Sequence, residues 1–195
     1  MEQLLGFLHS LKPLSPELDA HLRSILVCKK YRRGDLLLRA GDVAKRIFFI
    51  EKGLVRSFYL HRAKEASNWF MKEGDVCISI VSFLEQEPSE DSLVALEDCE
   101  TWGISHEQLN AIYNRFPEFK DHGLQITNKY YVWSEKRYRS ILRTTPEFKY
   151  DHLLKTAPDI ARRVTVKDLA SYLNISERTF NRVRREYATN QSKKK

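Results

Sequence analysis

At 195 residues the chain is long enough for one ordinary domain and a smaller second one, and 42% apolar with 30% charged residues is a globular composition. No apolar run approaches the roughly 18 residues that span a bilayer, and the opening Met1, Glu2, Gln3 lacks the positive start of a secretory signal, so a cytoplasmic protein without a membrane partner is expected. The net charge of +7 is confined: residues 161–195 hold ten Lys/Arg against three acids, while the first 160 residues carry 23 of each sign. Cys28, Cys77 and Cys99 are odd in number and widely spaced, without a Cys-x-x-Cys pair, and are expected to be reduced core residues, although Cys77 and Cys99 could approach each other across strands.

In chain order, Ser15 and Pro16 read as the cap and first turn of a helix that buries Leu18, Leu22, Ile25 and Leu26. From Lys29 the pattern changes to short β-runs at 36–40, 47–51, 55–60, 66–70, 76–80 and 92–96. Glycine turns at Gly34, Gly41, Gly53 and Gly74 separate them, which predicts a β-sandwich or small barrel. Ser105 begins a short helix. Pro117 opens a long one to about Arg143 with two apolar stripes. Phe119, Gly123, Ile126, Tyr130 and Trp133 alternate at 4-3-4-3 spacing and are read as a coiled-coil dimer seam. Leu124, Tyr131 and Tyr138 repeat every seven residues and are assigned to packing on the β-domain. Thr144, Thr145 and Pro146 end this helix and start the next.

Residues 164–185 predict two short helices around a tight turn. Thr165 can cap the first, with Asp168 as a short-armed variant of the capping box, and Val166, Leu169, Ala170 and Leu173 form its apolar face. Asn174 suits a left-handed turn position, Ile175 is a buried plug, and Ser176 caps the second helix. Phe180 and Val183 point inward, leaving Arg178, Asn181, Arg182 and Arg185 as an outward stripe. Arginine and asparagine can make bidentate contacts with guanine and adenine edges in the major groove, and a basic stripe on a small helical module is the footprint of a nucleic-acid binder. The lysines at 193–195 add non-specific affinity for DNA.

Helix, glycine-punctuated β-barrel, long helix and helix-turn-helix, in that order, resemble the Crp/Fnr family of bacterial transcription regulators over essentially the whole chain. The β-half carries the likeness at Tyr31, Gly34 and Asp35; Ala40, Gly41 and Asp42; Phe48, Phe49, Ile50 and Gly53; Glu73, Gly74 and Asp75; and Ala95, Leu96, Glu97 and Asp98. The resemblance implies an α+β fold: an N-terminal double-stranded β-helix, which is a cyclic-nucleotide-binding-like β-barrel, then a long dimerisation helix and a C-terminal α-helical helix-turn-helix domain. The expected boundaries are 1–116, 117–143 and 144–195. It also implies a homodimer joined through Phe119, Ile126, Tyr130 and Trp133, which binds palindromic double-stranded DNA and has RNA polymerase as a further partner. By that likeness Glu177, Arg178 and Arg182 read bases and Ser176 and Thr179 touch phosphate; Thr165, Asn181 and Arg185 complete the expected DNA-binding set.

Two departures from the family pattern matter. Members that bind cyclic AMP have Gly-Glu-Leu and, about ten residues on, Arg-Ser; here Ile78, Ser79 and Ile80 and then Ser89 and Glu90 stand in those places, so both anchoring charges are missing. Residues 73–114 contain ten acids and no Lys or Arg, surroundings hostile to a buried phosphate, so cyclic nucleotide binding is not expected. The chain also ends soon after the reading helix, without the β-hairpin wing of some members. Ser79, Ser82, Ser89 and Ser92 line the region where a small-molecule effector would sit. The six histidines are scattered, and no Walker loop, Gly-x-Ser-x-Gly or His-Glu-x-x-His occurs, so neither an enzyme, a cofactor nor a metal site is expected.

Overall fold

The structure is a computed structural model that describes residues 1–192, the side chains of residues 143, 191 and 192 excepted; the lysines at 193–195 lie outside the described residues. Two helices open the chain. The first, α1 (Glu2–Leu11), was not anticipated; its Leu4, Leu5 and Leu8 are buried. The second, α2 (Pro16–Ile25), begins as expected, with the Leu18 N–H donating to Ser15 Oγ at 3.3 Å. Leu4, Leu5 and Leu8 of α1, Leu14 of the connection and Leu18 and Leu22 of α2 join a cluster with Phe49, Ile104, Ile112 and Phe116.

The β-half follows as β1 (Val27–Tyr31), β2 (Leu36–Leu38), β3 (Arg46–Lys52), β4 (Val55–His61), β5 (Lys64–Met71), β6 (Val76–Cys77), a short helix α3 (Ile80–Glu85), β7 (Ser92–Ala95) and β8 (Cys99–Ser105). Every pairing is antiparallel, in two four-stranded sheets ordered β1-β8-β3-β6 and β2-β7-β4-β5. Alternate residues of both sheets fill the space between them: Phe48, Ile50, Val55, Met71, Cys77, Leu93, Ala95 and Cys99. The Gly-Asp turns tighten the corners. The N–H groups of Asp35, Asp42 and Asp75 donate back to the carbonyls of Arg32, Arg39 and Lys72 at 2.9, 3.1 and 3.0 Å. The apolar run 76–80 is not one strand, because the ladder stops at Cys77 and Ser79 leads into α3.

Ser105 opens α4 (His106–Arg115) with a capping box: its hydroxyl accepts the Gln108 N–H at 3.1 Å and Gln108 Oε1 accepts the Ser105 N–H at 2.7 Å. Then comes α5 (Phe119–Arg143), and its two stripes are not placed as expected. Phe119 is buried and Ile126 packs on the cluster beneath α1 and α2. A Cβ at Gly123 would stand 2.2 Å from Tyr113 Oη. Tyr130 Oη accepts the Val76 N–H at 2.7 Å, and Trp133 meets Tyr130 edge-on at 5.4 Å. The expected dimer seam is therefore taken up at Phe119, Gly123, Ile126 and Tyr130 by the chain's own helices and barrel, while Trp133 is 37% exposed. Leu124, Tyr131 and Tyr138, expected on the barrel, are 60%, 66% and 59% exposed.

Four helices end the described residues: α6 (Pro146–Thr156), α7 (Pro158–Arg163), α8 (Val166–Tyr172) and α9 (Glu177–Ser192). Their core joins Tyr150, Leu153, Ile160, Val164, Leu169, Leu173, Phe180 and Val183, and it also takes in Leu54 and Phe70 of the barrel. Among the described residues, no helix is long and apolar enough to cross a membrane.

Candidate nucleic-acid interface

The helix-turn-helix is built by local chemistry the sequence announces. Thr165 Oγ1 accepts the Asp168 N–H at 3.2 Å and donates to Asp168 Oδ2 at 2.8 Å. The expected capping box is thus modified: the Asp168 side chain is too short to reach the backbone of Thr165 and takes its hydroxyl instead. Asn174 adopts φ +52° at the turn, and the Ile175 N–H donates to Ala170 O at 3.0 Å. Ile175 is half-buried rather than a fully buried plug. The buried Lys149 donates through Nζ to Leu173 O at 3.1 Å, placing a cation at the C-terminal end of α8; burial lowers its pKa from the ordinary lysine value.

Ser176 caps α9 by accepting the Thr179 N–H at 3.0 Å, and the Ser176 and Thr179 hydroxyls share a 2.8 Å contact. Phe180 and Val183 are 2% exposed, so the opposite face of α9 is turned outward. Glu177, Arg178, Arg182 and Arg185 are exposed along it and Asn181 is half-buried. Arg182 is held by acids: Nη2 donates to Glu147 Oε1 at 2.8 Å and Nη1 to both oxygens of Glu186 at 2.9 Å. Those bonds raise the pKa of Arg182. The structure thus brings the sequence-predicted reading residues onto one solvent-facing surface, with Thr165 exposed at the start of α8.

What the sequence did not disclose is the seat of this unit on the barrel. Ser171 Oγ of α8 accepts the Ser67 N–H of β5 at 2.9 Å, and Phe70 and Tyr172 rings lie 5.1 Å apart. The buried Arg56 of β4 donates to Ser67 Oγ at 2.9 Å and Glu65 Oε2 at 2.8 Å, and pairs with Asp168 Oδ1 at 3.2 Å. Lys72 pairs with Asp159 at 2.5 Å. Arg56, a charged residue beside Val55 near the start of the strand run, was an available signal. With α8 held inward by these contacts, α9 is the outer helix.

The expected effector serines are engaged in fastening loops. Ser82 accepts the Ala44 N–H at 2.8 Å and donates to Glu87 O at 2.5 Å; Ser92 accepts the Ala40 N–H at 2.9 Å. Ser89 meets Ser79 at 2.9 Å and donates to Asp91 O at 2.7 Å. Ser82, Ser89 and Ser92 are buried and Ser79 is half-buried. The cysteines are free; Cys77 and Cys99 are buried, and burial raises both thiol pKa values. Among the described residues no three His, Cys, Asp or Glu side chains cluster to hold a metal ion.

Comparison with known proteins agrees with this architecture. Residues 28–116 match the cyclic nucleotide-binding domain. No curated protein matches the sequence significantly. Among solved structures, the chain is similar to FixK2 from Bradyrhizobium japonicum, with 18% identity, a TM-score of 0.71 and 86% of each chain covered. It is also similar to the c-di-GMP-responsive global regulator CLP from Xanthomonas campestris, with 17% identity, a TM-score of 0.68 and 89% and 91% of the two chains covered. A third likeness is to the catabolite activator protein of Thermus thermophilus, with 19% identity, a TM-score of 0.56 and 93% and 87% covered. The expected resemblance to Crp/Fnr regulators therefore holds at the level of fold, as does the α+β class.

Proposed function

We propose that the protein is a sequence-specific, homodimeric DNA-binding transcription regulator and not an enzyme. The observation that carries this reading is the outward face of α9, where Arg178, Arg182 and Arg185 stand exposed on a helix whose other face is sealed by Phe180 and Val183. A helix presenting arginines and asparagine at i, i+3, i+4 and i+7 fits the major groove. The similar solved structures include global and catabolite regulators, which supports the same reading.

Dimerisation belongs to the exposed side of α5. Leu124, Asn128, Tyr131, Glu135, Tyr138 and Leu142 follow 4-3-4-3-4 spacing, and the four apolar members are at least 59% exposed. A second copy covering this stripe gives the two-fold symmetry that palindromic sites require. The barrel serves as a structural element or as a sensor for something other than a cyclic nucleotide. Selection of bound fragments from a random DNA pool, at stated salt, is the test: a palindromic consensus is expected, and recovery of unenriched DNA would reject sequence-specific recognition.

A further inference from the structure

Carboxylate oxygens from two helices surround the guanidinium of Arg182, on the solvent-facing side of α9. Glu186 presents both of its oxygens from the next turn of the same helix, and Glu147 presents Oε1 from the start of α6. The Arg182, Glu147 and Glu186 side chains are 48%, 49% and 49% exposed, so neither acid is there to neutralise a buried charge. The neighbouring arginines differ. Among the described residues, Arg178 and Arg185 pair with no carboxylate, and Arg185 donates through Nε to Asn181 O at 3.3 Å.

Glu147 holds its charge where it stands. Its own backbone N–H, then Arg182 and Thr145, keep its carboxyl below the ordinary 4.5. One guanidinium between two carboxylates makes a spot of net negative charge on an otherwise basic helix face.

A phosphate and a base edge meet that trio differently. A phosphate carries a full negative charge, and to take Arg182 it must come to rest beside carboxylates that repel it. The N7 and O6 atoms of guanine are neutral acceptors and meet no such repulsion. Arg178 and Arg185, with no acid beside them, can hold either group. Phosphates are alike at every sequence, so an arginine that settles on them adds affinity and carries no sequence information.

We infer that Glu147 and Glu186 are specificity-determining residues, which withhold Arg182 from phosphate and leave it to a neutral acceptor pair on a base edge. This rests on the reading of α9 as the DNA-contacting helix. Glu147 gives the cleaner test, because Glu186 lies one turn along α9 and also bears on the stability of that helix.

The test measures binding of the full chain to the selected site and to random-sequence DNA over a series of salt concentrations. Glu147→Gln keeps the shape of the side chain and removes its charge. It is expected to raise affinity for random DNA roughly threefold at low salt and to steepen the salt dependence by about one released counterion. The selected site should gain less, so the ratio of the two affinities falls. Glu17→Gln, which removes an exposed acid from α2, should leave that ratio unchanged. In an Arg182→Ala background the gain from Glu147→Gln should largely vanish. Random-DNA affinity unmoved by Glu147→Gln overturns the inference, and so does a gain as large with Arg182→Ala as without it. Weaker binding to the selected site alone also overturns it, since Glu147 would then be a base contact itself. A natural chain that prefers no sequence brings down the reading of α9 and this inference together. A natural chain that selects a site, with a ratio indifferent to Glu147→Gln, brings down this inference only.

Discussion

Arg163 grips Glu73 with two parallel bonds: Nη1 and Nη2 donate to Oε2 and Oε1, both at 2.9 Å. The same guanidinium reaches both oxygens of Glu97, through Nε at 2.9 Å and Nη2 at 2.7 Å. Glu73 Oε1 also accepts the Gly53 N–H at 2.8 Å. One side chain at the end of α7 is thereby tied to two barrel turns, and through Glu73 to a third. The planar fork of arginine matches paired carboxylates in a way that lysine cannot.

This junction gives a pH prediction. The Arg163 hydrogen bonds hold Glu97 below its ordinary 4.5. Burial pushes Glu73 up, but bonds from Arg163 and Gly53 outweigh it and leave Glu73 below 4.5 as well. A carboxylate whose folded pKa is depressed stabilises above its ordinary value and loses that contribution as pH falls through the folded one. Hydrogen-exchange protection of α7 and α8 is therefore expected to fall below about pH 4.5. Because these side chains are partly exposed, Arg163→Ala should cost only about 1 kcal/mol at neutral pH and should blunt the acid transition. Identical acid profiles for the two proteins would remove the junction from the account.

Gly53 is demanded by space as well as by conformation. It lies at φ +100°, and a Cβ there would stand 2.6 Å from Cys99 Sγ and 2.7 Å from Asp98 O. Gly34 has φ +92° with nothing within 4 Å of such an atom. Gly34→Ala should cost about 1 kcal/mol of backbone strain, and Gly53→Ala at least about 2 kcal/mol more. Urea unfolding of both variants checks the difference, and equal costs would mean that the barrel yields at Gly53.

The exposed stripe of α5 is expected to be the dimer seam. Tyr131→Glu combined with Leu142→Glu should yield folded monomers in sedimentation velocity. Ile126→Glu should instead destabilise the fold, because Ile126 packs on the cluster shared by α1, α2 and α4. A dimer that survives the double change would reject the stripe.

Much of this was legible in the sequence, for local reasons. Thr165, Asn174 and Ser176 fix the ends and turn of the helix-turn-helix by their own side chains, and the Gly-Asp corners do the same for the barrel. Other differences were tertiary in origin. Strand β8 was not assigned, since Gly103 interrupts its pattern; glycine stands there because a Cβ would lie 2.7 Å from Ile47 O. The run 76–80 could not be divided into strand and helix by hydrophobicity alone. Periodicity found both stripes of α5, yet which one meets the barrel depends on Tyr113 and Val76, remote in sequence. The seat of α8 on β5, an arrangement of paired charges, carries no periodic signal at all.

Cyclic AMP is expected neither to bind nor to change DNA affinity. The serines of the expected pocket are engaged with each other or with backbone groups, Lys72 is committed to Asp159, and Arg62 lies in the β4–β5 turn at φ +50°. Calorimetry at millimolar nucleotide is the check. A micromolar dissociation constant would show that a cation the structure holds elsewhere can reach the phosphate.

Reading and holding of DNA should separate genetically. Arg182 lies on the outward stripe of α9, with both terminal nitrogens on Glu147 and Glu186, so a base edge must displace those acids. These are exposed pairs and weak, which makes exchange for a guanine edge feasible. Arg182→Ala should cost about 1–3 kcal/mol on the selected site and relax preference at one base pair per half-site. Removing Lys194 and Lys195 should weaken all DNA alike and flatten the salt dependence, since such charges act by releasing counterions. Equal loss on selected and random DNA for Arg182→Ala would make Arg182 a phosphate contact and shift reading to Glu177, Arg178 or Asn181. If neither change alters binding to any DNA, the outer face of α9 is not the interface.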